Sequence, residues 1–244
     1  MKIGIIGAGN IGGTIARKLT AAGHDVKLAG SGSPDTIRKK AEQIGAKAVT
    51  AQDAVVDVDV IVLSIPFAKI PDVAGLFIDV PADVVVIDTS NYYPMRDQKV
   101  AEIDSGKPES VWASEKLGRP VVKAFNAVLA ETLAEHGKEA GAVGRIAIPV
   151  AGDDPRAKTI ARELVELTGF DTLDAGDLAG SWRQQPGTPA YCTELSTGEL
   201  QDALAAADKA RAPQYREILM KGFMEDSLTH EQVVARNREV TTPR

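Results

Sequence analysis

Short apolar runs alternate with longer amphipathic stretches along the first three quarters of the chain. Lys2-Ile3-Gly4-Ile5-Ile6, Val26-Lys27-Leu28-Ala29, Val58 to Ser64 and Val84 to Asp88 are dense in Val and Ile, as in parallel strands covered on both faces. The intervening stretches predict helices at Thr14 to Ala22, from Ser33 as N-cap with Pro34 at the first helical position to about Ile44, near Gln52 to Asp57, and after Pro66. A further round follows: strand Val121 to Ala124, helix Ala127 to His136, strand Arg145 to Ala151, helix Pro155 to Thr168 and strand Phe170 to Asp174. Arg96 to Lys116 is polar and mixed, and reads as helix and loop over the rim of a sheet. Alternation of this kind predicts an α/β protein with a doubly wound parallel sheet. After Gly180 the pattern changes to the turn-rich Gln184-Gln185-Pro186-Gly187-Thr188-Pro189 and then to helical segments. The expected organisation is a sheet domain over residues 1–180 and a small turn-rich and helical C-terminal appendage over residues 181–244. There is no internal repeat or low-complexity tract.

The first strand empties into Gly7-Ala8-Gly9-Asn10-Ile11-Gly12 and then a helix. In a strand–turn–helix setting, Gly7 permits the tight turn, Gly9 lets the backbone approach a pyrophosphate, and Gly12 lets the helix pack on the strand. Uncapped N–H groups and the positive end of the helix dipole then favour phosphate. This is the start of a Rossmann NAD(P)-binding fold, and it makes Gly7, Gly9, Asn10, Ile11 and Gly12 cofactor-binding candidates.

The end of the second strand bears on which dinucleotide is taken. NAD enzymes place an Asp or Glu there to accept from the ribose hydroxyls; this chain reads Ala29-Gly30-Ser31-Gly32-Ser33-Pro34. With no carboxylate to repel it, a 2′-phosphate is favoured, with Ser31 and Ser33 donating and Arg38 or Lys39 in reach. Ser33 equally serves as a helix cap.

Composition narrows the class without changing it. With 244 residues, 44% hydrophobic and 25% charged, the chain suits one large or two small globular domains. A formal charge of -6 argues against nucleic-acid or anionic-membrane partners. No stretch is long and apolar enough to span a bilayer, and Ile3 to Ile6 is too short for a signal-peptide core, so a cytoplasmic protein is expected. The single cysteine, Cys192, reads as a small buried apolar residue. The three histidines, His24, His136 and His230, are scattered through the chain and suggest no metal site.

The reacting end of a bound nicotinamide belongs at the carboxyl ends of the strands. Leu63-Ser64-Ile65-Pro66, Asp88-Thr89-Ser90-Asn91-Tyr92-Tyr93 and Lys123-Ala124-Phe125-Asn126 end there. Ser64, Ile65, Pro66, Asn91 and Asn126 are candidates for the nicotinamide end, although Asn91 and Asn126 are also plausible helix caps. Tyr92 and Tyr93 are placed either to stack on a flat substrate or to pack a loop. Lys123 suits a structural or cofactor-orienting ion. No tyrosine is followed four residues later by lysine, which excludes the short-chain dehydrogenase pattern. The 3-hydroxyacid and 6-phosphogluconate dehydrogenases share the glycine start, but the tail beyond Gly180 reads as too short for their helical second domain.

At these residues the chain resembles the NADP oxidoreductases dependent on the deazaflavin coenzyme F420 and their bacterial relatives. The glycine motif, Ser31 before a Pro-started helix, Val122-Lys123-Ala124-Phe125-Asn126, and Ser181-Trp182-Arg183-Gln184-Gln185-Pro186-Gly187-Thr188-Pro189-Ala190-Tyr191 carry the likeness. The better-known members grip the 2′-phosphate with a Ser-Arg pair; here Ser31 carries over and Gly32 stands in the arginine's place. The resemblance implies NADP as cofactor, coenzyme F420 or a similar flat small-molecule redox acceptor as co-substrate, and direct hydride transfer that asks little of side chains. Arg183 is then a candidate for the substrate's anionic tail, or else a surface arginine beside a buried Trp182. A homodimer through the C-terminal helices is plausible for such a fold. Two alternatives stay open: an NADPH-dependent reductase of a flavin, ferric chelate, imine or carbonyl, and a non-catalytic NADP(H)-binding redox sensor.

Overall fold

The computed structural model describes residues 1–225 and 228–242. Strands β1 (Lys2–Ile6), β2 (Asp25–Ala29), β3 (Lys47–Ala48), β4 (Val60–Leu63), β5 (Val85–Asp88) and β6 (Val122–Lys123) form one parallel sheet in the order β3-β2-β1-β4-β5-β6. The order reverses between β1 and β4, which opens a crevice at their carboxyl ends. β7 (Ala147–Val150) and β8 (Asp171–Asp174) pair parallel with each other. Lys123 and Ala151 exchange antiparallel backbone bonds of 2.8 and 3.0 Å, which sets β7 against the β6 edge. The expected strands are all present; β3, only two residues long, is too short to leave a pattern in the sequence.

Side chains alternate along the strands because successive Cβ atoms point to opposite faces. Ile3, Ile5, Val60 and Val62 face helices α1 (Asn10–Ala21) and, further along the chain, Pro155–Leu167 through Ile15, Leu19 and Leu164. Ile6, Ile61 and Leu63 face Phe67, Tyr92 and Trp112. All four β4 residues are fully buried, and each such side chain stabilises the fold by roughly 1.5–3 kcal/mol.

Two expected helices take a different form. Ser33 does cap, accepting from the Asp35 N–H at 3.3 Å, but the first turn is a 3-10 turn over Pro34–Thr36 and α2 begins only at Arg38 (Arg38–Gln43). The helix expected after Pro66 is two 3-10 runs, Phe67–Lys69 and Pro71–Phe77. Pro71 has no N–H to continue the first run. Short helices α3 (Ala51–Ala54), α4 (Pro94–Asp97) and α5 (Ala101–Asp104), then α6 (Glu109–Leu117) and α7 (Ala130–Glu135), line the rim, and α8 (Pro155–Leu167) crosses from β7 to β8.

The C-terminal part is fastened to the sheet at several points. Leu200 and Leu204 of α9 (Thr197–Ala205) pack with Ala147 and Ala190. In α10 (Ala212–Glu225), the Arg216 guanidinium lies 5.2 Å from the centre of the Tyr92 ring. From α11 (His230–Thr241), the Asn237 amide donates to the Cys192 carbonyl at 3.0 Å and Arg238 donates to the carbonyls of Thr193 and Glu194 at 2.7 and 2.9 Å. Among the described residues no helix is long and apolar enough to cross a membrane.

Candidate functional site

The glycine loop has the geometry its spacing predicts. Gly7 has φ +115°, and a Cβ there would lie 1.9 Å from the Ser64 carbonyl oxygen. A Cβ on Gly12 would lie 1.9 Å from the Gly7 carbonyl oxygen, so α1 packs directly on the turn. Gly9 differs: a Cβ there meets nothing within 4 Å. As the N-cap of α1 it supplies no side-chain bond. The first-turn N–H groups, with Asn10 exposed and Ile11 half-buried, therefore face an open cradle suited to an anion. A dinucleotide pyrophosphate fits that cradle.

Gly30, at the end of β2, comes beside Ala8, so Ser31 stands next to the loop with its side chain exposed. Arg38 does not turn that way. Its guanidinium is bound to Asp35, both exposed, which raises the arginine and lowers the carboxyl from their ordinary values through that hydrogen bond and charge. The cation that reaches the loop is Lys40, whose Nζ donates to the Ala8 carbonyl at 2.6 Å. Ile37, Ala41 and Ile44 form the inward stripe of this segment, and Lys40 is the basic residue adjoining it. That helical spacing was the available signal. A Cβ built on Gly32 would meet only Thr36, at 3.7 Å.

At the other end of the crevice the Ser64 N–H donates to the Ile6 carbonyl at 2.8 Å, with Ile65 half-buried and Pro66 exposed beyond it. Asn91 and Asn126 come together. The Asn91 amide donates to the Asn126 carbonyl at 2.9 Å, and the Asn126 amide donates to the Asn91 side-chain oxygen at 3.1 Å. Neither caps a helix, since the N-caps of α4 and α7 are Tyr93 and Leu129. Gln184, which sequence reasoning passed over, completes the set: its amide donates to the Asn126 oxygen at 2.9 Å and its carbonyl accepts from Asn126 at 2.8 Å. Gln184 Oε1 and the neighbouring Ser181 Oγ and Gln185 Nε2 are buried without a hydrogen-bond partner, at a cost in desolvation.

Tyr92 is not a stacking platform. It is fully buried against Phe67 and beneath Arg216, and its hydroxyl accepts from the Val100 N–H at 2.9 Å. The tyrosine nearer the surface is the half-buried Tyr93, whose hydroxyl meets that of Tyr191. Burial raises both phenols above their ordinary value, so they hold their protons. The pair packs beside Ala127, next to Asn126. Arg183 points elsewhere: it is exposed, lies 4.6 Å over the Trp182 ring and borders a cleft of about 330 Å³ with Asp174 and Gln201. The larger concavity of about 810 Å³ around Met1, Lys2, Asp25 and Asp57 lies at the amino-terminal edge of the strands, opposite the glycine loop.

The buried charges behind the crevice are occupied. Lys123 and Asp88, both with 0% exposed side chains, pair at 3.0 Å; Ser110 donates to the same carboxylate at 3.1 Å and Ser90 at 2.6 Å. Lys123 also donates to the Ser90 carbonyl. This is a structural ion pair joining β5 to β6. Glu109 is buried nearby and accepts from the Tyr92 N–H at 3.1 Å; burial pushes its carboxyl up to about 7, against the pull of Lys123. The histidines are a correction to the reading of their scatter: His136 and His230 meet at Glu194.

A parallel sheet reversing at a glycine turn, with amides gathered at its carboxyl ends, defines an NAD(P)-dependent oxidoreductase. The chain belongs to the family of NADP oxidoreductases, coenzyme F420-dependent, which residues 2–92 match. The YjhV protein of Escherichia coli (strain K12) is 37% identical over 105 residues, 42% of this chain and 77% of its own length. The hypothetical protein SMa0349 of Sinorhizobium meliloti is 31% identical with a TM-score of 0.69 over 78% of this chain and 93% of that one. A provisional F420-dependent NADP-reductase from Arthrobacter sp. FB24 is 21% identical with a TM-score of 0.60, over 75% of this chain and 87% of its own. A correction comes from the 3-hydroxyisobutyrate dehydrogenase of Mycobacterium tuberculosis, 17% identical with a TM-score of 0.59 over 97% of this chain and 99% of that chain. The tail is thus long enough to match that fold, and length does not separate the two.

Proposed function

We propose that the protein transfers a hydride between NADPH and a flat redox acceptor of the deazaflavin type, coenzyme F420. The observation that carries this reading is the character of the reacting end: three amides, Asn91, Asn126 and Gln184, bonded to one another, with the nearby Lys123 and Asp88 tied to each other. Such a wall orients a ring and its carboxamide and does not exchange protons with it. The dinucleotide supplies the hydride when bound. The protein's part is to hold donor and acceptor carbons at about 3–3.5 Å and to exclude water. The N–H groups from Gly9 to Gly12 would hold the pyrophosphate, Ser31 and Lys40 the 2′-phosphate, and Ser64 to Pro66 with the amides the nicotinamide end. The family match over residues 2–92 supports the acceptor class.

The test is the loss of absorbance of oxidised F420 on adding protein and NADPH, with NADH in parallel. Rapid bleaching with NADPH and slower bleaching with NADH is the expected result. Tight NADPH binding without bleaching would overturn the acceptor.

A second reading rests on the Tyr93–Tyr191 pair. Of the two hydroxyls bonded to each other beside Asn126, one proton is left to donate a hydrogen bond to the nitrogen or oxygen of an imine or carbonyl and polarise it as its carbon takes the hydride; the proton that completes the product would come from water. NADPH consumption with such a substrate, abolished in Tyr93→Phe, would favour it over F420.

A further inference from the structure

Away from the crevice, three elements bring nitrogen and oxygen donors to one point. His136 is the C-cap residue of α7, His230 is the first residue of α11, and Glu194 lies in the loop before α9. Glu194 Oε1 is 2.8 Å from His230 Nε2 and 3.3 Å from His136 Nδ1, and all three ligand atoms lie within 4.8 Å of one another. The two imidazole rings stand edge-on, 4.7 Å between centres at 83°. We propose that His136, Glu194 and His230 hold a divalent zinc-class ion that pins α11 and the loop from residue 190 to 194 to the sheet domain.

Four features of the site support a built metal centre. The donor set, two imidazoles and one carboxylate, is one that zinc takes with a fourth position left for water. Tetrahedral coordination at zinc's usual bond lengths spaces its ligand atoms about 3.3 Å apart, close to the 2.8 and 3.3 Å from Glu194 to the two rings. An orienting partner for the carboxylate is also in place. The Thr132 hydroxyl donates to Glu194 Oε1 at 2.6 Å, and the other nitrogen of His230, Nδ1, lies 4.0 Å from an exposed Glu131 carboxylate, beyond hydrogen-bond distance. Burial is graded, with the His230 side chain 4% exposed, Glu194 19% and His136 37%, so the ion would enter past His136 and keep a water there.

Glu194 also has φ +52°, a conformation that a residue of its kind seldom adopts. Arg238 of α11 donates to its carbonyl at 2.9 Å, and the Cys192 N–H two residues earlier donates to the Ala127 carbonyl at 3.1 Å. The loop that presents the carboxylate is therefore fastened both to α11 and to the residue following Asn126.

The experiment strips the full-length protein with chelator and titrates it with zinc alone, following uptake by competition with a chromogenic chelator and Tm in parallel. Cobalt in place of zinc gives a visible spectrum that reports four-coordinate geometry. Expected are one ion per chain, a Tm that rises with zinc concentration, and loss of stoichiometric uptake in His136→Ala and Glu194→Gln. Thr132→Val is expected to weaken uptake about 10–100-fold. His136 is half-exposed, so its variant tests the site even if a His230 variant fails to fold. No saturable uptake would mean that the three side chains form only a hydrogen-bonded contact, and uptake unchanged in both variants would place the ion elsewhere. Either result overturns the proposal.

Discussion

Two glycines three residues apart separate folding from binding. Gly12→Ala puts a methyl against the Gly7 carbonyl oxygen and is expected to cost about 1–3 kcal/mol of stability. Gly9→Ala meets nothing, so its stability in urea unfolding is expected to stay within about 0.5 kcal/mol of the parent while NADPH affinity, read by titration, falls at least tenfold. Equal loss of stability in both would refute the separation. Glu109 makes a pH prediction. Its folded carboxyl titrates at about 7, against 4.5 ordinarily, so between those values the folded state holds more protons than the unfolded one. Stability then falls as pH rises from about 4.5 to about 7 and levels above. Glu109→Gln should flatten that slope in a series of Tm measurements, and an unchanged slope would assign it to other groups. Single positions were legible where backbone geometry demanded one residue type, as at Gly7 and Gly12. They were illegible where the deciding fact was which way a side chain turns: Arg38 turns to Asp35, Lys40 to the loop, Tyr92 into the core.

Elements followed the same division. Strands and long helices declare themselves through period and caps, which is why β1, β4, α1 and α8 lie close to where the pattern puts them. The stretch after Pro66 carries an apolar content compatible with helix, yet prolines at 66 and 71 reduce it to 3-10 turns. Meeting points such as Asn126 with Gln184, or His136 with His230, join elements far apart in the chain and leave no local trace. The seating of α10 depends on Gly187. It has φ +89°, and a Cβ there would fall 2.1 Å from the Ala212 carbonyl oxygen. Gly187→Ala is expected to cost more than about 2 kcal/mol, since left-handed strain alone is worth about 1–3, and to expose α10 to limited proteolysis. A variant as resistant as the parent would show that α10 is seated by other contacts.

Across the whole molecule, two sheets of different polarity meet at the Lys123–Ala151 bridge, and the Lys123–Asp88 pair lies at that seam. Replacing one member of a buried pair leaves the other charge without compensation, which typically costs about 3–5 kcal/mol. Lys123→Met should lower the stability of the entire chain by that amount in denaturant unfolding. A loss below about 1 kcal/mol would show that the seam is held by its backbone bonds alone. The fold class is legible in the residues because strand–helix alternation reports which elements exist; the antiparallel turn at the seam is not, because polarity between β6 and β7 depends on the path of the chain between them.

The unobstructed space at Gly32 has an evolutionary meaning. A Cβ added there would meet nothing closer than Thr36 at 3.7 Å, and a glycine codon of any form becomes an arginine codon by one base change. An arginine at position 32 is thus reachable in a single step with no steric conflict at its Cβ. Gly32→Arg is expected to leave Tm unchanged and to shift the NADPH-to-NADH affinity ratio upward about tenfold, the worth of one charge-assisted contact to phosphate. Given that shift, selection for one dinucleotide pool or the other would act on one surface position without touching the core; an unchanged ratio would place the preference elsewhere.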